Sequence, residues 1–197
     1  MHMHVKTLNN NIALVISTTL LTSDNTILSI CTMLIHALIA SRVDYCNSVL
    51  FQTAAVHLRP LQLVMNAAAR LVVKKRKSDS ITPTLRDTLH WLLVRERIDF
   101  KLCLLVYKCL HQLAALYLES MIFPISAVST RRHLRSAGQG DLTVSRTRTV
   151  GFGPRSFSVA GPSLWNTLPS DMKQSSLSIA QFCSQLKSVM FVRSFYA

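Results

Sequence analysis

The chain has 197 residues, nearly half of them apolar, enough for one packed domain or one domain with a small appendage. Its 22 Lys and Arg against 9 Asp and Glu leave a formal charge of +13, which points to a polyanionic partner, nucleic acid first, or to a basic piece of a larger assembly. Five cysteines with no CxxC pair and no histidine at finger spacing argue against a zinc site and a disulfide framework, leaving a reducing compartment as the default.

Residues 1–25 read as a divergent N-terminal segment. Two apolar runs, residues 12–21 and 27–40, are separated by Thr22, Ser23, Asp24 and Asn25, and neither reaches the roughly 20 residues of a membrane span. Lys6 before the first run imitates a secretory signal without a clear cleavage site. A membrane-associated protein using residues 12–40 is therefore an alternative that length disfavours, and nucleus or cytoplasm stands ahead of membrane or secretion.

Residues 26–124 read as a helical region. Thr26 or Asn25 can cap a helix over residues 27–41, and residues 42–51 form a short continuation or turn. Pro60 suits a first helical position, and Leu61, Val64, Met65, Ala68, Leu71 and Val72 recur at three and four spacing behind it. That helix runs out into Lys74, Lys75, Arg76 and Lys77, where cations complement the dipole. This tetrad matches a short nuclear-import signal, and a basic helix end on a solvated face explains it as simply.

Thr82 and Pro83 open a short helix to about Trp91. A long amphipathic stripe then runs through Ile98, Leu102, Leu105, Val106, Cys109, Leu113 and Leu116. Pro124 ends the helical block, and residues 125–140 read as a linker or loop. Residues 141–197 carry a small β element and then helices. In residues 143–150 the Arg146 and Arg148 side chains fall on one strand face and the hydroxyls of Thr143, Ser145, Thr147 and Thr149 on the other. Paired guanidinium forks suit phosphate or carboxylate, and the nearest acid in the run is Asp141. Gly151 and Gly153 make a turn, the Gly-Pro at 161–162 and the Leu-Pro at 168–169 bracket a helical segment carrying Trp165, and a last helix covers about residues 176–191. The expected fold is mainly α, bundle-like, with a small β element near residues 142–150.

The charge is clustered. Only Lys6 and Asp24 precede Arg42, whereas residues 42–108 hold twelve bases and five acids. Residues 131–155 hold six arginines, no lysine and the single acid Asp141. Arg131, Arg132, Arg135, Arg146, Arg148 and Arg155 are candidate backbone contacts, and Phe152, Phe157 and Trp165 lie close enough in sequence to stack bases, although a small aromatic core accounts better for Phe157 and Trp165. Catalytic patterns are missing from the reading. Two-metal chemistry needs gathered carboxylates and the acids here are scattered, Asp44 in Val-Asp-Tyr-Cys being only an echo of such a motif. Ser158 and Ser163 do not sit in GxSxG, and Gly151-x-Gly153 lacks a dinucleotide loop's third glycine. The expectation is a chain that is not an enzyme, with no cofactor and no small-molecule substrate.

Four ordered blocks carry a resemblance: residues 34–50 (LIHALIASRVDYCNSVL), 58–77 (LRPLQLVMNAAARLVVKKRK), 81–107 and 133–169, the last including DLTVSRTRTVGFGPRSFSVAGPSLWNTLP. Together they resemble the C-terminal, post-palm region of the reverse transcriptase polyprotein of non-LTR (LINE) retrotransposons, the chicken-repeat-1-like group in particular, over residues 26–191. The resemblance implies that the endonuclease and the palm's paired aspartates lie upstream of Met1. It implies a helical region that helps hold template RNA or target DNA, with Arg70, Lys74, Lys75, Arg76, Lys77, Arg135, Arg146, Arg148 and Arg155 at matching positions and the palm as packing partner. Leu93 stands where that family usually has proline, residues 111–115 lack its usual Gly and Pro, Ser145 replaces a common proline, and Gly151 replaces Arg or Lys. Such drift is what a decayed copy, a translated remnant without a selected role, would show.

Overall fold

Helices make up almost all the regular structure of the computed structural model, which describes residues 30, 32–127, 138–173 and 176–196. The mainly α expectation holds. The β element near residues 142–150 reduces, among the described residues, to one antiparallel bridge between Pro124 and Leu142. Ile125 N–H donates to Asp141 O at 3.0 Å and Thr143 N–H to Phe123 O at 2.8 Å. Beyond that bridge the β-leaning chain finds no ladder, and a strand without a partner has nothing to satisfy its backbone.

The chain forms two compact units, Met1–Asn47 with Thr53–Arg97 and Ser194–Ala197, and Ser48–Gln52 with Ile98–Arg193. In the first, helical chain passes through a π-helical turn, His36–Ala40, into α1 (Ser41–Asp44), burying Ile35, Ile39, Ala40 and Val43. The expected cap at Asn25 or Thr26 lies outside the described residues. Helix α2 (Ala55–Val72) buries Leu58, Leu61, Val64, Met65, Ala68, Ala69 and Val72, the three-and-four pattern expected of one apolar face. It begins five residues before Pro60, so Pro60 lies inside the helix. The proline withholds an N–H from the Val56 carbonyl, and Val56 is exposed enough for water to substitute.

Helix α2 ends at Val72 in a Schellman turn. Lys74 N–H donates to Leu71 O at 3.3 Å and Lys75 N–H to Arg70 O at 3.0 Å, with Lys74 left-handed at φ 52°. The basic tetrad therefore follows the helix and is not part of its last turn. Thr82 and Pro83 are already helical and lead into a π-helical turn, Thr84–Thr88, so Thr82 does not cap. Ile81, Leu85, Trp91, Leu92 and Val94 complete this core, with His36 edge-on to Trp91 at 5.3 Å.

In the second unit helix α3 (Val94–Leu110) contributes Ile98, Leu102, Cys103, Val106, Tyr107 and Cys109, all buried. The expected stripe stops short. Gln112 is left-handed at φ 57°, and Leu113 N–H closes onto Lys108 O at 2.8 Å, so Leu113 and Leu116 leave the helix and are exposed. After the single turn α4 (Leu116–Glu119), helix α5 (Phe157–Asn166) contains the expected bracket Gly161-Pro162 within it. Gly161 is needed there because a Cβ would sit 2.8 Å from Val106 Cγ2. Helix α6 (Ile179–Phe195) starts on a capping box: Gln181 N–H donates to Ser178 Oγ at 3.3 Å, and Ser178 N–H to Gln181 Oε1 at 2.9 Å. Phe182, Leu186 and Met190 form its buried edge, and Phe182 stacks between Tyr107 (4.3 Å) and Trp165 (5.7 Å).

Candidate nucleic-acid interface

In the second unit the site begins at Asp141. Asp141 Oδ1 pairs with Lys173 Nζ at 2.6 Å, and the two side chains are only 16 % and 4 % exposed. Lys173 Nζ also donates to Asn166 O at 3.1 Å. The Asn166 side-chain amide then takes both backbone groups of Leu142, accepting from its N–H at 2.8 Å and donating to its O at 2.9 Å. Trp165 Nε1–H donates to Gly140 O at 3.1 Å. Helix α5 thus grips residues 140–142 through consecutive side chains, substituting for the missing strand partner.

The grip separates Asp141 from the arginines that follow it. Arg146 and Arg148 are exposed and make no hydrogen bond or ion pair with any described residue. The hydroxyls of Thr147 and Thr149 turn instead toward Gly153, where a Cβ would lie 2.6 and 2.7 Å from their Oγ1 atoms. Alternation along residues 146–149 therefore survives without a strand. Phe152, close by in sequence, is 81 % exposed, and Val150 is more open still. Two unneutralised guanidinium forks can hold phosphate oxygens, and an exposed ring can stack a base.

Arg155 takes another role. Its Nε donates to Phe51 O at 3.1 Å and its Nη2 to Val49 O at 3.2 Å, so it ties the turn Asn47–Leu50 into this unit as a structural brace. Phe157 is half-buried and Trp165 buried, in keeping with an aromatic core. Arg131, Arg132 and Arg135 lie outside the described residues.

In the first unit residues 74–80 are all exposed. The side chains of Lys74, Arg76 and Lys77 make no ion pair with described residues, while Lys75 Nζ donates to Thr84 Oγ1 at 2.7 Å. Arg70 is half-buried and braces the loop through Nη2 to Asp79 O at 3.2 Å, which makes it structural as well. Asp44 is committed to Arg97, Oδ2 to Nη1 at 2.6 Å. A cavity of about 470 Å³, walled by Val56, Leu58, Leu93 and Val94 with Arg59 and Arg95 among its lining, lies in the same unit and had no signal in the sequence.

No family model, curated protein or solved structure matches this chain.

Among the described residues no three of His, Cys, Asp and Glu gather closely enough to hold a metal ion. Cys46, Cys103, Cys109 and Cys183 are unpaired thiols. Burial pushes the Cys103 thiol well up, and pushes Cys109 up to about 11 with help from Glu119. No described helix is long and apolar enough to cross a membrane, and residues 12–21 lie outside the described residues. Sequence reasoning missed Lys173 and Asn166, which set the position of the arginine segment. Their signal was a lone acid, Asp141, whose base lay 32 residues on.

Proposed function

We propose that this chain is a nucleic-acid-binding region of a non-LTR retrotransposon reverse transcriptase, the helical part that follows the polymerase palm, and that it has no catalysis of its own. One observation carries the binding reading: Arg146 and Arg148 are exposed and unpaired while the nearest acid is consumed by Lys173. Leaving two cations uncompensated, with an exposed Phe152 close by in sequence, suits a polyanion. The contacts are to phosphate, so they position RNA or DNA without reading its sequence. Lys74, Arg76 and Lys77 supply a second basic patch. The four ordered sequence blocks support the lineage, and in that lineage the endonuclease and polymerase centres belong to other parts of the polyprotein.

Titration of single-stranded RNA into the full chain at rising salt tests this reading. Affinity is expected to fall steeply, with the logarithm of the binding constant linear in the logarithm of salt. Affinity that is flat between low and physiological salt refutes it.

A second reading has its own observation. Leu113, Leu116, Tyr117 and Phe123 are exposed within one short stretch, as expected of a surface built to pack on a missing palm. On that reading the chain is a translated remnant that folds poorly alone. A cooperative thermal melt of the purified chain counts against it.

A further inference from the structure

The turn that follows α2 holds a serine where a negative charge would silence the basic patch of Lys74, Arg76 and Lys77. Asp79 N–H donates to Arg76 O at 3.2 Å and Arg76 N–H to Asp79 Oδ2 at 3.0 Å, so Lys77 and Ser78 stand at the tip of a closed turn. Residues 74–80 are exposed throughout, and four bases precede Ser78 directly. Such a run complements the acidic substrate groove of a basophilic serine kinase. Lys75 and Arg70 are engaged by Thr84 Oγ1 and Asp79 O, but the side chains of Lys74, Arg76 and Lys77 are available.

We propose that Ser78 is a phosphorylation site whose modification releases nucleic acid from this patch. In the transfer, Ser78 Oγ attacks the γ-phosphorus of a nucleoside triphosphate, and the bond to the β-phosphate oxygen breaks. The diphosphate leaves, and the hydroxyl proton passes to the kinase's base. The product carries about −1.5 to −2 charge and three strong acceptor oxygens within reach of Arg76 and Lys77. Paired internally, those cations no longer contact a backbone phosphate. The inference rests on the binding reading above and adds its regulation.

The test incubates the full chain with a basophilic serine kinase and labelled nucleoside triphosphate, locates the phosphate by mass spectrometry, and titrates single-stranded oligouridine RNA. A single phosphate at Ser78 is expected, with affinity about tenfold weaker at low salt and a salt slope shallower by about 1. S78A is expected to take no phosphate and keep its affinity. Equal incorporation into S78A, or phosphate on Ser80 or elsewhere, overturns the site while leaving the binding reading intact. Full incorporation at Ser78 with unchanged affinity and slope overturns the switch. Unmodified chain that binds without salt dependence removes the binding reading, and the switch falls with it.

Discussion

Replacing Asp141 by asparagine removes the carboxylate and keeps the shape, so it isolates what the pair with Lys173 contributes. Lys173 is only 4 % exposed, and after the change its ammonium keeps neutral acceptors only, the new amide oxygen and Asn166 O at 3.1 Å. Breaking a buried pair from one side costs about 3–5 kcal/mol, because the surviving charge is stranded away from water. Asp141 is 16 % exposed, which lets water reach that end, so a cost near the low limit, about 3 kcal/mol, is expected. For a chain of this length that corresponds to a midpoint about 6–12 °C lower. Thermal denaturation followed by helical circular dichroism measures it. D87N serves as the control, since Asp87 pairs with Arg86 on the surface and should leave the midpoint in place. Replacing both partners, D141L with K173M, is expected to recover most of the loss. A D141N midpoint indistinguishable from the parent and from D87N would refute the reasoning that the buried pair with Lys173 holds Asp141 in place.

Three further outcomes concern Gln112 and the thiols. Gln112 occupies a left-handed position that an L side chain enters at about 1 kcal/mol, so Q112G is expected to stabilise by about 0.5 kcal/mol after glycine's extra chain entropy, and Q112V to destabilise; thermal melts of the three chains check the order. Cys46 is exposed whereas Cys103 and Cys109 are buried, so alkylation at neutral pH should label Cys46 in the native chain and reach the other two only after denaturation. Because burial raises Cys109 from 9.0 to about 11, the thiol's contribution to stability is whole below pH 9 and is lost as pH rises to about 11. C109A should flatten that alkaline limb of the urea midpoint.

Much of the helical architecture was legible because burial writes a period into the chain. The face of α2 was readable from Leu61, Val64, Met65, Ala68 and Val72, and the Phe182 helix from its apolar run. Its start slipped because Pro60 reads as a helix opening, while an exposed Val56 carbonyl tolerates the lost bond one turn inside. The end of α3 slipped because Gln112 carries no mark of a left-handed turn, whereas glycine would have. Residues 143–150 read as a strand from β-branched content alone, but a strand exists only with a partner, and Asn166 satisfies just Leu142. Arg155 shows the same limit for function. Its charge resembled that of Arg146 and Arg148, yet the carbonyls that claim it lie more than a hundred residues earlier, at Val49 and Phe51. The exposure of Arg146 and Arg148 becomes interpretable only once Asp141 is seen to belong to Lys173.

The most direct test of the account is the salt dependence of single-stranded RNA binding by the double variant R146A/R148A beside the parent chain. Neither side chain bonds to a described residue, so the variant is expected to melt at the parent's temperature. Its affinity should drop and its salt slope should become shallower by about 1.4, two phosphate contacts on a single strand. A variant that melts normally and binds with the parent's affinity and slope would contradict the claim that these two arginines hold nucleic acid.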